Sequence, residues 1–363
     1  MKAEQPLAQP HSPIPFPPTR VMSMALRAAR FLALILALAR CAAEQSPPPT
    51  RPQDGPARLT FLGTGASTAL PDLRCMVDGA TNGACKTCTR AARGPADRNF
   101  RGNVCLLISV LGGDGGTAEI LIDCGKTFRS AVLRFFQRLS VKGIDAILLT
   151  HDHADAILGL DEIRSVQKWD PVARRACATV VACSYRTFEH CQGAFPYLMP
   201  PSKELKLKRF VSQLDWRPFE NGESFEVCGV RFDTLPVEHG AGYICTGYAW
   251  GPDHAKIILL TDYTTVGPKV MAQLRHWSTG GRRIAVLVLD ALARDNPPRV
   301  HASLEQSLQL ARELRPVATR FVGMSHGIEH YATNRELRKV HAAEGLDVQL
   351  AHDGLQMRID LGI

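Results

Sequence analysis

Long apolar runs are missing from this chain. The longest, Phe31–Ala39, holds nine residues, about half of the ~20 that a membrane-spanning helix requires. A strong charge excess is missing as well. The formal charge is +8, but residues 1–43 supply five basic side chains (Lys2, Arg20, Arg27, Arg30, Arg40) against one acid (Glu4), which leaves +4 for the remainder. That balance gives no reason to expect nucleic acid as a partner. No repeat at solenoid spacing is present. A regular cysteine framework is also absent, since the eleven cysteines are odd in number and unevenly spread. Cys105, Cys124, Cys228 and Cys245 lie in apolar runs and read as small buried hydrophobes. Cys177, Cys183 and Cys191 share one segment and leave a disulfide open. What remains is an ordinary globular composition, 45% hydrophobic and 21% charged over 363 residues, enough for one large domain or two small ones.

Residues 1–57 stand apart from the rest. A proline-rich start is followed by a basic flank, Met24–Arg30, and then by the nine-residue apolar run, with Cys41-Ala42-Ala43 behind it. Those are the proportions of a secretory signal. The arginine-rich, acid-poor composition also fits an organellar transit peptide, and an extended gene start with a cytoplasmic protein behind it is a third reading. Residues 44–57 are rich in Pro, Gln and Ser and read as a linker.

From Arg58 to the end, strand-like and helix-like segments alternate. Strands are expected at 58–62, 105–111, 118–123, 144–149, 225–232, 256–260, 284–289 and 319–323, and helices at 127–140 and 303–314. Mixed strands with interspersed helices predict an α/β fold with two sheets packed face to face under helices.

The chemistry is concentrated in Thr150-His151-Asp152-His153-Ala154-Asp155-Ala156. This stretch leaves an apolar strand and enters a helix-like segment. Two imidazoles and a carboxylate at alternate positions on one such loop can converge on a metal ion. Three further candidates each follow an apolar run: His239, Asp262 and His326. In set and order these residues resemble the metallo-β-lactamase superfamily over roughly residues 58–360. The resemblance implies an αββα metallo-β-lactamase sandwich. It implies one divalent metal (Zn or Mn) on His151, His153 and His239, with Asp262 bridging, and a second on Asp155, Asp262 and His326. The family's remaining histidine would fall at Ala156, which cannot ligate, so Asp161 or water would have to take its place. Hydroxide generated at a metal would then attack the substrate, with Asp155 orienting it or taking its proton.

Cys85-Lys-Thr-Cys88, with Cys75 upstream, is a separate three-thiolate signal for zinc. It resembles the phosphoribosyl cyclic phosphodiesterase branch of the superfamily, in which a late histidine completes a structural zinc site; that mapping implies Cys75, Cys85, Cys88 and His330. His301 resembles a family position near the active edge, where it would either contact substrate or support a residue that does. Lys203–Arg209 is a short basic run that reads as a solvated face. The expected function is a phosphodiesterase of small cyclic or nucleotide-like substrates, acting on a small molecule without a membrane span and leaving a homodimer open. The alternatives are a tRNA 3′-processing endonuclease and a metal-binding scaffold without turnover.

Overall fold

The computed structural model describes residues 57–77, 85–111, 116–200, 211–294 and 299–359. The leader reading for 1–56, the basic run Lys203–Arg209 and most of the glycine turn at 112–116 therefore lie outside the described residues.

Sixteen strands are described, fourteen of them in two seven-stranded sheets. The first sheet contains β1 (Ala57–Gly63), β2 (Cys105–Leu111), β3 (Thr117–Ile122), β4 (Ala146–Leu148), β7 (Thr179–Ser184), β8 (Leu214–Phe219) and β16 (Gln356–Ile359). Its order is β16-β1-β2-β3-β4-β7-β8, antiparallel from β16 to β3 and parallel from there on. Trp169–Asp170 (β5) and Arg175–Ala176 (β6) form a small separate ribbon. The second sheet contains β9 (Ser224–Val227), β10 (Val230–Glu238), β11 (Ile244–Trp250), β12 (Lys256–Leu260), β13 (Ile284–Asp290), β14 (Ala318–Val322) and β15 (Val348–Leu350). It runs in the order β15-β14-β13-β12-β11-β10-β9. The single strand expected at 225–232 is two, because Cys228 and Gly229 both take positive φ and turn the chain into a hairpin.

Successive strand side chains point to opposite faces, and here both faces are covered. Leu59, Phe61, Ile120 and Ile122 of the first sheet meet Phe232, Tyr248, Ile257 and Leu259 of the second in a central core. On the far side of the first sheet, Leu107, Leu121 and Ile147 pack with Phe128, Phe135 and Phe188, which are carried by helices α3 (Phe128–Leu139) and α5 (Tyr185–Ala194). On the far side of the second, Ile258, Leu260 and Leu287 pack with Leu274, Leu308 and Leu337, from α6 (Pro268–Trp277), α7 (Leu304–Leu314) and α8 (His330–Glu344). Burial on both faces explains why these strands read as unbroken apolar runs rather than alternating ones. The architecture is the expected αββα sandwich. Two short helices, α1 (Leu73–Val77) and α2 (Lys86–Ala91), carry the cysteines, and α4 (Ala154–Ile157) follows the metal-type loop.

Strand ends set the position of the chemistry. β4, β10, β12, β13 and β14 deliver His151, His239, Asp262, Asp290 and His326 at or just beyond their carboxyl ends, the usual place for ligand sites in sheets of this kind.

Candidate metal centres

The loop after β4 is seated by close backbone packing. Cys124 donates its N–H to Ala156 O at 2.8 Å, and Gly159 donates to Cys124 O at 2.6 Å. A Cβ added at Gly125 would lie 1.7 Å from the carbonyl oxygen of Asp155, so only glycine permits this approach. The helix expected from Ile157 onward is correspondingly broken: α4 ends at Ile157 and a 3-10 turn spans Leu160–Ser165.

His151, His153 and His239 offer ring nitrogens that lie within 4.8 Å of one another. Their ring centroids are 4.7, 5.6 and 5.2 Å apart. His151 Nδ1 lies 2.8 Å from Thr150 Oγ1. That hydroxyl donates in turn to Asp123 Oδ2 at 2.7 Å, and Thr150 N–H donates to Asp123 Oδ1. His151 Nε2 is buried without a hydrogen-bond partner, an arrangement that costs free energy unless something binds it. His239 Nδ1 sits 2.6 Å from Val300 O, which leaves its Nε2 as the second polar atom. Burial lowers the pKa of His153 and takes that of His239 down to about 4, so both imidazoles keep a lone pair at neutral pH. An orphaned nitrogen and three convergent imidazoles fit a divalent metal.

His239 also belongs to a second group with Asp262 and His301, again within 4.8 Å. Asp262 is 9% exposed. Burial pushes its pKa up, but His151, His301, His239 and a hydrogen bond from Thr261 outweigh that and hold it below the usual range. His301 Nδ1 is 2.7 Å from Asp290 Oδ2. Burial opposes protonation of His301, yet Asp290 and then Asp262 raise it to about 9, while burial raises Asp290 itself to about 7. Asp155 lies outside both groups. Its pKa is raised by burial and then by Asp262, so it feels the site's charge from close by. Replacing Asp290 by asparagine is expected to bring the His301 pKa down from about 9 toward the ~6.5 of an unperturbed imidazole, because the carboxylate that favours the extra proton is gone. NMR titration of the imidazole in the metal-free protein checks this.

The structure redistributes the late histidines. His326, expected beside Asp155 and Asp262, instead joins Cys75, Cys85 and Cys88. Its Nδ1 lies 2.9, 3.8 and 3.9 Å from the three sulfurs. These distances bracket the ~3.5 Å between nitrogen and sulfur donors on a tetrahedral zinc with bonds of ~2.0 and ~2.3 Å. Three sulfurs and an imidazole are the donors zinc prefers. Cys85 caps α2 by accepting from Cys88 N–H, and Cys88 Sγ accepts from Asp72 N–H at 3.3 Å. The turn carrying His326 is fixed by buried Arg101, which donates to the carbonyls of Ser325 and Ile328. His330, expected as the fourth ligand there, is not in the group. It opens α8 and is 2% exposed; its N–H donates to Asn99 Oδ1 and its Nε2 meets Asn334. The reason is helical geometry: the first residue of α8 points into the core, whereas His326 sits four residues earlier on an exposed turn.

Burial depresses His330 to about 3, against ~6.5 for histidine in an unfolded chain. Below pH ~6.5 the unfolded chain binds a proton that the folded one does not. This residue therefore contributes stability above ~6.5, and that contribution is lost as pH falls toward 3, by up to about 1.4 kcal/mol per pH unit. Urea midpoints at pH 7 and pH 5 are expected to differ less in His330→Gln than in the parent protein.

Ala156 is buried in the outer core of the first sheet, and Asp161 is ion-paired with Arg164 at 3.1 Å, so neither supplies the missing ligand. Cys177, Cys183 and Cys191 carry free thiols. Asp123, Asp290, Arg101 and Tyr243 are site residues that were not among the candidates above. Asp123 and Asp290 follow apolar strands just as Asp262 does, so the same signal marked them. Tyr243, stacked on His153 at 5.0 Å, had no such mark.

Residues 118–324 match the Beta-lactamase superfamily domain, and the chain belongs to that family. It is a metallo-β-lactamase fold hydrolase. The chain is similar to a structure described as a new diphosphatase from the PhnP family, at 29% identity over 85% of this chain and 99% of that one, with a TM-score of 0.64. It is similar in fold to the Zn²⁺-bound PqqB of Methylobacterium extorquens, at 15% identity over 83% of this chain and 99% of that one, with a TM-score of 0.58. It is also 24% identical over 303 residues to an octanoyltransferase of Porphyromonas gingivalis (strain ATCC BAA-308 / W83), covering 84% of this chain and 52% of that protein. The chain thus spans about half the length of that curated relative. Among the described residues no helix is long and apolar enough to cross a membrane.

Proposed function

We propose that the protein is a metal-dependent phosphodiesterase that hydrolyses a small nucleotide-like phosphodiester or diphosphate. The observation that carries this is the pairing of two donor sets on one sheet edge: the imidazole–carboxylate groups around His239, and the Cys₃His group of Cys75, Cys85, Cys88 and His326. The similarity to the PhnP-family diphosphatase supports the substrate class.

Cations on His151, His153, His239 and Asp262 would supply an activated water at neutral pH and charge stabilisation for the phosphoryl oxygens. The chain's own residues handle the protons. Water forms the new P–O bond and gives its proton to Asp155, whose carboxylate is made more basic by burial and by Asp262. The P–O bond to the leaving group breaks, and that oxygen takes a proton from His301. Asp290 fixes the ring through Nδ1, which leaves Nε2 as the donor. Zinc at the cysteines would be structural.

The test is a substrate panel with metal counting. The expected result is Mn²⁺- or Zn²⁺-dependent hydrolysis of bis(p-nitrophenyl) phosphate by a protein holding metal at both kinds of site. Metal at the cysteines alone, with no turnover under either ion, would sink the proposal.

A further inference from the structure

One cation beside the metal-type loop has no part in the chemistry above. Arg186 is the second residue of α5, and its side chain is 55% exposed. Its Cζ lies 4.0 Å from the centroid of the Tyr243 ring, and that ring stacks on His153 at 5.0 Å and 26°. The guanidinium is therefore held over an aromatic ring that itself touches a metal-type ligand. Among the described residues, the carboxylate that lies within 4 Å of it is that of Asp152, at 3.7 Å from Nε, too far for a hydrogen bond. Asp152 is already engaged, because its Oδ1 accepts from the Tyr243 hydroxyl. His190, one turn further along α5 and half exposed, stands 3.7 Å from the same carboxylate. The result is a positioned cation with donors to spare, next to the place where a phosphoryl group would be attacked.

Arginine suits this place for a physical reason. Its flat guanidinium stacks on a tyrosine face and still presents paired N–H donors in its own plane. Paired donors match the oxygens of a phosphate, and bonds between charged partners are the stronger kind. A phosphodiester needs only one anion site, which the cations provide. A second anion site beside it is useful only to a substrate with a second phosphate.

We propose that Arg186 binds the neighbouring phosphate of a diphosphate substrate, so that diphosphate diesters are selected over simple phosphodiesters. This rests on the phosphodiesterase reading and narrows it. The test compares ADP-ribose, a diphosphate diester, with bis(p-nitrophenyl) phosphate in the metal-loaded full chain. In Arg186→Met the ratio of kcat/KM for ADP-ribose over bis(p-nitrophenyl) phosphate is expected to fall about tenfold or more, with the loss in KM. Arg186→Lys recovers part of it, since the charge returns without the paired donors. The inference is overturned if both substrates lose equally, or if kcat falls and KM does not, because Arg186 would then be bracing Tyr243 and His153. A parent protein that hydrolyses bis(p-nitrophenyl) phosphate but not ADP-ribose overturns this inference and leaves the phosphodiesterase reading standing. One that hydrolyses neither ends both.

Discussion

His239→Ala is expected to lower kcat/KM on bis(p-nitrophenyl) phosphate by at least about 10³-fold and to remove metal from the imidazole–carboxylate site while sparing the cysteine site. His239 is the one residue shared by the two groups, with His151 and His153 on one side and Asp262 and His301 on the other. Its removal therefore takes a donor from whichever ion is bound. Water away from a cation has a pKa of ~15.7 rather than about 7, and losing a single preorganised donor to a developing oxyanion costs ~10²–10³-fold by itself. The ring packs against other site residues, His151, His153, Tyr243 and His301, and is not part of the apolar core clusters, while its Nδ1 bonds Val300 O. The thermal midpoint measured without metal should thus move little. Elemental analysis and steady-state kinetics on the same sample check the claim, and full metal content with lost turnover would refute the ligand role.

Cys88→Ser is expected to have the opposite profile, with a fall of about 10 °C in thermal midpoint and a loss of turnover smaller than tenfold. Cys88 is fully buried, and burial pushes its thiol up to about 12. Only a bound cation makes the thiolate favourable there at neutral pH. Structural zinc contributes directly to folding. A loss of about 4 kcal/mol corresponds to roughly 10 °C if each kcal/mol shifts the midpoint of a domain this size by ~2–4 °C. Differential scanning calorimetry with and without a chelator reads the effect; an unchanged midpoint would mean that the cysteines hold nothing. Some loss of turnover is expected because the two sites share a support. Ser325, next to His326, bonds Leu292 O through both N–H and Oγ, and Leu292 N–H bonds the carbonyl of Ala302, next to His301.

Much of this was legible in the sequence because both faces of the strands are covered. That produces continuous apolar runs, and a polar residue at the end of such a run stands out. His151, His153, His239 and Asp262 were visible in this way, whereas the cysteine cluster was visible through the spacing of Cys85 and Cys88 with Cys75 upstream. What the sequence did not show was the fate of side chains in the last turn. His326 and His330 are four residues apart, and periodicity alone cannot tell an exposed turn from the first residue of a buried helix. The structural cue is the N-cap: Glu329 accepts from Ala332 N–H, which starts α8 at His330 and turns that ring inward. His301 was named by resemblance, but its pairing with Asp290 was hidden for a different reason. Its significance comes from Asp290, which is eleven positions away in sequence and meets it only when β13 is in place.

Asp262 also has a backbone consequence. It sits at φ 51°, in the left-handed region, where a side chain other than glycine's is strained. Glycine would hold the same turn with less strain, but without a carboxylate to offer a cation. Selection of variants for heat resistance alone, with no demand on hydrolysis, should accept glycine at position 262. Selection on turnover should restore aspartate. The identity of this one residue would then record which of the two pressures a lineage has experienced.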